Sequence, residues 1–72
     1  MFGRIVYIDT VRRFGRIRAN GSWHEYWFHR ADVSPSLGFA NLLNERVEFN
    51  PRDSERGPVA VQVRPVRFEV YQ

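Results

Sequence analysis

Residues 13–18 and 26–30 repeat aromatic and cationic side chains with a spacing of two. That spacing is the period of a β-strand, in which successive side chains point to opposite faces of the sheet. Asn20 and Gly21 lie between the two segments, and this dipeptide is typical of a type I′ hairpin turn. Paired as a hairpin, the segments would carry rings and cations on one face and core residues on the other. The first face would hold Phe14, Arg16, Trp27 and His29, and the second Ile17, Tyr26 and Phe28.

The length and composition of the chain limit its fold and chemistry. At 72 residues there is room for a single domain, residues 1–72, and without cysteine its core must come from apolar packing alone. Two histidines without a spaced partner make a poor metal site, and no nucleophile, base and oxyanion donor can be assembled. We therefore expect no enzymatic activity, no cofactor, no metal and no small-molecule substrate. The absence of a long apolar run or signal-peptide pattern predicts a cytoplasmic protein without a membrane partner.

Five segments have the composition of β-strands. They are residues 2–8, 14–19, about 23–29, 46–50 and 59–63, the last opened by Gly57-Pro58. Between the third and fourth, residues 31–35 could hold one helical turn and 34–44 form an irregular connection, whereas 51–55 read as a polar turn. Short strands with turns about every 8 to 12 residues predict an all-β fold, a small five-stranded antiparallel OB-fold barrel. Closure would also remove exposed sheet edges.

The C-terminal extension, residues 67–72, leaves two interpretations open. Phe68 and Val70 share one face, so the segment could add a short extra strand or simply pack on the barrel. A monomer is expected, and an exposed edge here leaves dimerisation open.

Positive charge is concentrated in the first half of the chain. The net charge is +3, the sequence pI is about 10.2, and all eleven cationic side chains are arginines. Arginine binds phosphate bidentately and stacks on rings better than lysine does, although a GC-rich genome would also explain the absence of lysine. OB barrels commonly bind oligonucleotides on the face of strands two and three, where these rings and cations lie. A flat, anionic ligand such as single-stranded nucleic acid suits this face.

Several segments match a known family in order and spacing. Residues 12–17 resemble the first ribonucleoprotein motif, usually Lys-Gly-Phe-Gly-Phe-Ile, and residues 27–29 the second, usually Phe-Val-His. Gly38-Phe39 is similar to the aromatic of the long loop. Further matches are Gly3, Ile5, Tyr7 (usually tryptophan), Val47, Phe49, Gly57, Pro58, Ala60 and Val63. Over about residues 3–66 the chain thus resembles the cold-shock domain family.

The chain also departs from that pattern. Arg13 replaces a glycine, Arg16 a stacking phenylalanine, and Arg30 the aromatic that follows the histidine. Exchanging rings for guanidinium groups shifts the expected balance toward phosphate contact and salt sensitivity. Asn44 takes the place of a turn glycine, which asparagine tolerates because it has access to left-handed conformations.

One conflict concerns the first strand. Strict alternation places Ile5 and Tyr7 on the same face, whereas the resemblance places Ile5 in the core and Tyr7 at the ligand. A β-bulge or strong twist near Val6 would reconcile the two.

The resemblance implies binding of single-stranded RNA or DNA with low sequence specificity, as a nucleic-acid chaperone or a regulator of transcription or translation. For the rings the alternative is ordinary packing, with Phe39 capping the barrel mouth, and for Arg16 and Arg30 it is an ion pair with Glu25 or Asp32. Two other functions stay open, a protein-interaction barrel and a translation-initiation-type OB module that binds structured ribosomal RNA. The candidate nucleic-acid-binding residues are Tyr7, Arg12, Phe14, Arg16, Trp27, His29, Arg30 and Phe39.

Overall fold

Five β-strands form the fold in the computed structural model, which describes residues 1–66. The strands are β1 Phe2–Asp9, β2 Phe14–Ala19, β3 Glu25–His29, β4 Arg46–Ser54 and β5 Gly57–Pro65. They lie in the order β1-β2-β3-β5-β4, and pairing of β4 with β1 closes the barrel. The predicted all-β barrel is confirmed. The extra C-terminal strand or packed tail considered for residues 67–72 lies outside the described residues.

The strand directions are antiparallel at every pairing except one. Trp27 of β3 pairs in parallel with Val59 of β5. Strict alternation of direction cannot close around five strands, so a barrel of this order must contain a parallel pair. Beyond β3 the chain continues along β5, where Val33 forms a parallel bridge with Val63.

The barrel interior is filled by apolar side chains from all five strands and from the connection before β4. Ile17 and Phe28 point inward as predicted, and Tyr26 is half-buried with its ring 5.2 Å from that of Phe49. Full burial of one large apolar side chain stabilises the folded state by about 1.5–3 kcal/mol. The core cluster consists of Ile5, Ile17, Phe28, Leu42, Val47, Phe49, Ala60 and Val63.

A β-bulge at Val6 resolves the conflict in the first strand. Ile5 lies opposite Ile17 on β2, but Tyr7 lies opposite Arg16, so β1 carries one extra residue between them. Ile5 is consequently fully buried, whereas Tyr7 is 37% exposed on the outer face. The predicted bulge is confirmed.

The close packing of β2 against β1 and against the Phe28 ring requires glycine at position 15 of β2. A Cβ atom on Gly15 would lie 2.7 Å from the Phe28 ring and closer still to the carbonyl oxygen of Tyr7. Any side chain here would push β1 away from β2 or displace Phe28 from the core.

The connection between β2 and β3 differs from the predicted two-residue turn. β3 begins at Glu25, later than predicted, and only Gly21 has a positive φ (71°), so Asn20-Gly21 is not a type I′ turn. The backbone N–H of Asn20 donates to the carbonyl oxygen of Phe2 at 3.0 Å, and that of Ala19 to the carbonyl oxygen of His24 at 3.1 Å. The dipeptide is therefore tied to β1 while the chain reverses over residues 20–24.

The predicted polar turn at residues 51–55 is wrong. β4 continues to Ser54 and pairs with β5 as far as Gly57, so the reversal falls at Glu55 and Arg56. The polar side chains there are solvent-exposed on a two-stranded ribbon, where polarity does not interrupt pairing.

The connection between β3 and β4 contains two short 3-10 helices. The first covers Arg30–Asp32, one residue earlier than the start of the predicted helical turn, and the second covers Phe39–Asn41. Asn44, just before β4, has a φ of 71°, the left-handed conformation predicted for it.

Candidate functional site

Three aromatic rings from three neighbouring strands lie side by side on the outer face of the barrel. The ring of Phe14 on β2 lies 5.2 Å from that of Trp27 on β3 and 5.9 Å from that of Tyr7 on β1. Trp27 is 43% exposed and Phe14 is half-buried. We call Tyr7, Phe14 and Trp27 the ring cluster. Their tilted contacts leave aromatic surface open to solvent.

Cross-strand register places two further predicted residues on this face. Arg16 pairs with Trp27, and Phe14 pairs with His29. His29 is exposed, and its Nδ1 accepts a hydrogen bond of 3.0 Å from the backbone N–H of Ala31. That bond fixes the ring orientation and leaves Nε2 of the neutral imidazole as a donor for a ligand.

Arg16 extends the ring cluster but is also ion-paired. Its Cζ lies 4.9 Å from the centre of the Tyr7 ring and 5.3 Å from that of Trp27, within cation–π range. Its Nη1 donates to Oε1 of Glu25 at 3.1 Å, and the other oxygen of Glu25 accepts from Nη2 of Arg18 at 3.0 Å. Arg16 thus makes one of the ion pairs that the sequence left open, and its planar group fills the space between two rings.

A groove of about 630 Å³ continues from the ring cluster toward the β4–β5 hairpin. Its volume falls within the range of about 300–1,000 Å³ that is usual for ligand sites. The floor is apolar, and the charged rim carries two arginines and one aspartate. The groove is lined by Arg12, Phe14, Trp27, Phe28, His29, Asp32, Ser54, Arg56, Val59 and Ala60. Because Phe14 and Trp27 belong to both, the ring cluster and the groove form one surface.

The two remaining predicted arginines lie at the same edge of the barrel. The backbone N–H of Arg12 donates to Oδ1 of Asp9 at 2.9 Å, which shapes the turn after β1 and places Arg12 at the groove rim. The backbone N–H of Arg30 donates to the carbonyl oxygen of Arg13 at 2.9 Å, and Arg30 does not line the groove. Within residues 1–66 neither Arg12 nor Arg30 forms an ion pair, so the alternative pairing of Arg30 with Asp32 is absent there.

Phe39 is placed apart from the ring cluster. Its ring packs edge-on against inward-facing Phe28 at 6.3 Å and is half-buried beside the core. This is the capping position that the sequence left open as the alternative to ligand stacking.

Sequence reasoning missed Arg56 and Ser54 in the groove. Both belong to the β4–β5 hairpin and reach β3 only through the long-range pairing of Trp27 with Val59. The backbone N–H of Arg56 donates to Oγ of Ser54 at 3.2 Å, which fixes the hairpin tip. No local sequence pattern predicts that the tip of the β4–β5 hairpin lies near β3. The local signal that was present is the position of Arg56 directly before Gly57, a residue typical of turns.

Residues 1–66 contain no group of three or more His, Cys, Asp or Glu side chains that could hold a metal ion. None of the helices described there has the length and apolar character needed to cross a bilayer.

The sequence matches no protein-family model and no curated protein.

Proposed function

We propose that this chain is a cold-shock-like OB barrel that binds single-stranded RNA or DNA with low sequence specificity. The observation that supports the proposal best is the continuity of the ring cluster with a groove whose rim carries arginines. Aromatic faces for bases and guanidinium groups for phosphates are the two components that non-specific single-strand binding requires.

The ring cluster would supply the larger share of the affinity. Base stacking on an aromatic side chain contributes about 1–3 kcal/mol per base, and every base has a face that can stack. Three rings at that rate contribute about 3–9 kcal/mol, and most of that range exceeds the roughly 4 kcal/mol that corresponds to a Kd of about 1 mM. Because stacking does not read base edges, little sequence preference is expected.

The arginines would supply salt-dependent attraction to the backbone. Arg12 and Arg56 border the groove and Arg30 lies at the same edge, so three guanidinium groups are near the path of a strand that leaves the rings. Each phosphate neutralised on a single strand changes the slope of log K against log salt by about −0.7. Contact with all three gives a slope of about −2.

Preference for unpaired strands follows from the position of the rings. They lie on an open sheet face and can stack only on bases whose own faces are free, which duplex pairing prevents. A protein that holds only the unpaired strand shifts hairpins toward melted forms by mass action. We therefore propose a role without enzymatic chemistry, as a nucleic-acid chaperone or a regulator of transcription or translation in the cytoplasm.

Fluorescence anisotropy with labelled oligonucleotides tests the proposal. A single strand of about eight nucleotides, within the range for one OB fold, is compared with its duplex at about 50 and 200 mM salt. We expect the single strand to bind more tightly at both concentrations and the affinity to fall with salt. Equal affinity for the duplex, or no binding at low salt, would contradict the proposal. Tighter binding of a folded RNA would favour the module for structured ribosomal RNA instead.

A further inference from the structure

Three arginines lie directly opposite one another across three neighbouring strands. Arg4 on β1 pairs with Arg18 on β2 and also with Arg46 on β4. Residues paired in this way project from the same face, with Cβ atoms about 4.5–5.5 Å apart. Arg4 and Arg46 are exposed, and 40% of the Arg18 side chain is accessible. We call Arg4, Arg18 and Arg46 the arginine row.

The arginine row carries more positive charge than its surroundings balance. Glu25 pairs with Arg18 but shares its carboxylate with Arg16, and Glu48 pairs with Arg64 at 3.3 Å. In the described part of the chain no carboxylate forms an ion pair with Arg4 or Arg46. Like charges directly opposite each other destabilise a sheet, so an external anion would relieve the repulsion.

The arginine row is continuous with the ring cluster. Phe14, Arg16 and Arg18 occupy alternate positions of β2 and project from one face, with steps of about 6.6–6.8 Å. The guanidinium of Arg18 lies 5.2 Å from the ring of Trp23, which is 86% exposed in the β2–β3 connection. Planar groups therefore extend along β2 from the ring cluster to the point where the row begins.

We propose that the arginine row binds the phosphodiester backbone of the strand held by the ring cluster, and that Trp23 stacks on one of its bases. This inference rests on the proposed function and extends its site to a longer strand. The row crosses three strands spaced about 4.8 Å apart, so it covers roughly 10 Å. At a rise of about 3.4 Å per nucleotide for a stacked strand, that length corresponds to about three nucleotides.

A single strand suits this surface better than other polyanions do. Arginine matches phosphate geometry bidentately, and the exposed Trp23 ring beside Arg18 offers a stacking face. A duplex has no free base face to place on that ring. An anionic lipid surface would use the charges without the stacking, and the experiment tests it as the competing occupant.

The experiment compares the binding of a short and a long oligonucleotide, of about 6 and 12 nucleotides, to each variant. The double variant Arg4→Gln/Arg46→Gln removes two charges of the arginine row. The single variant Arg4→Gln is matched with the control Arg52→Gln, because Arg52 is an exposed arginine of β4 outside the row. Wild-type protein is expected to bind the long strand more tightly than the short one. The double variant should weaken only the long-strand complex, by about tenfold, with a salt slope shallower by about 1.4. Trp23→Ala should likewise weaken only the long-strand complex.

The outcomes separate this inference from the proposed function. If wild-type protein binds neither strand, both the proposed function and the arginine-row inference are wrong. If it binds the short strand and the double variant keeps full affinity for the long one, only the arginine-row inference is wrong. Equal losses in Arg4→Gln and Arg52→Gln would indicate general charge attraction and overturn the row as a site. If the double variant loses binding to phosphatidylserine vesicles but keeps its affinity for the long oligonucleotide, the arginine row is a lipid-binding surface instead. A lower thermal midpoint in Arg4→Gln would show that Arg4 has a stabilising partner, against the inference.

Discussion

Tyr7 lies directly opposite Arg16 because β1 carries one extra residue at Val6. In a strand without this bulge Tyr7, two residues after Ile5, would share its inward face, because alternate residues of a regular strand lie on the same side of the sheet. With it, the Tyr7 ring lies 4.9 Å from the Arg16 guanidinium and 5.9 Å from the Phe14 ring. One irregularity in the sheet therefore joins β1 to the surface made by β2 and β3.

Stacking of a base on Trp27 should quench its fluorescence. The chain has two tryptophans, so the measurement needs the Trp23→Phe variant, in which Trp27 is the sole tryptophan and is excited selectively over the tyrosines. Titration of this variant with an unpaired oligonucleotide should lower the emission until the site is saturated, because a base would cover the 43% of Trp27 that is exposed. An emission unchanged at concentrations where anisotropy reports binding would place the ligand elsewhere.

Removing single rings from the cluster should weaken binding without unfolding the protein. Phe14→Ala and Trp27→Ala each lose one stacking face, which predicts a loss of about 1–3 kcal/mol, or about 5- to 150-fold in Kd. Trp27→Phe keeps a ring and should retain most of the affinity. If the alanine variants bind nucleic acid normally but lose a protein partner in pull-down experiments, the protein-interaction barrel becomes the better hypothesis.

Glu25 should limit the affinity for anions, because its carboxylate holds two guanidinium groups of the proposed path, those of Arg16 and Arg18. Glu25→Gln should tighten binding and steepen the salt slope by about 0.7 for each arginine that gains a phosphate. Stability should change by less than about 1 kcal/mol, because partly exposed ion pairs contribute little. Asp53→Asn, the same charge change at an exposed position of β4, is the control. Weaker binding in Glu25→Gln would mean that the ion pairs orient the arginines for the ligand.

The parts of the fold that could be predicted depend on local periodicity. The alternation around Phe14 and Trp27 identified the outer and inner faces of β2 and β3, and β-strand pairing preserves that alternation. The bulge at Val6 could be predicted because two requirements conflicted there. The type I′ turn predicted at Asn20-Gly21 is wrong because the backbone N–H of Asn20 donates to the carbonyl oxygen of Phe2. That hydrogen bond joins distant parts of the chain, so the local sequence cannot predict it.

The parts of the site that could not be predicted depend on pairing between distant segments. Arg56 reaches the groove because β5 pairs with β3, and the arginine row exists only in the register of β1 with β2 and β4. The sequence could propose that Arg16 pairs with Glu25 or remains free for phosphate. The register decides between them, because it places Glu25 opposite Arg18 and diagonally across from Arg16 on the same face.

Gly15 should be among the least tolerant positions of the chain. Gly15→Ala places a Cβ against the Phe28 ring and the β1 backbone, and overpacking of this kind costs about 1–3 kcal/mol. Gly21→Ala is the contrasting variant: it has open space around the added atom but a positive φ, so we expect a loss of about 1 kcal/mol. Thermal unfolding followed by circular dichroism measures both. A smaller loss at Gly15 than at Gly21 would show that β1 and β2 are not tightly packed.

Arg13 has a φ of 64°, in the left-handed region that glycine adopts without strain. For a side chain such as arginine this conformation costs about 1–2 kcal/mol, whereas glycine loses about 0.5–1 kcal/mol more than alanine through backbone entropy. Arg13→Gly should therefore raise the free energy of unfolding by up to about 1.5 kcal/mol. Arg12→Gly removes the same charge at a position without positive φ and should lower stability instead. Chemical denaturation of the two variants distinguishes the cases, and a loss of stability in Arg13→Gly would mean that the Arg13 side chain stabilises the turn by more than its backbone strain costs.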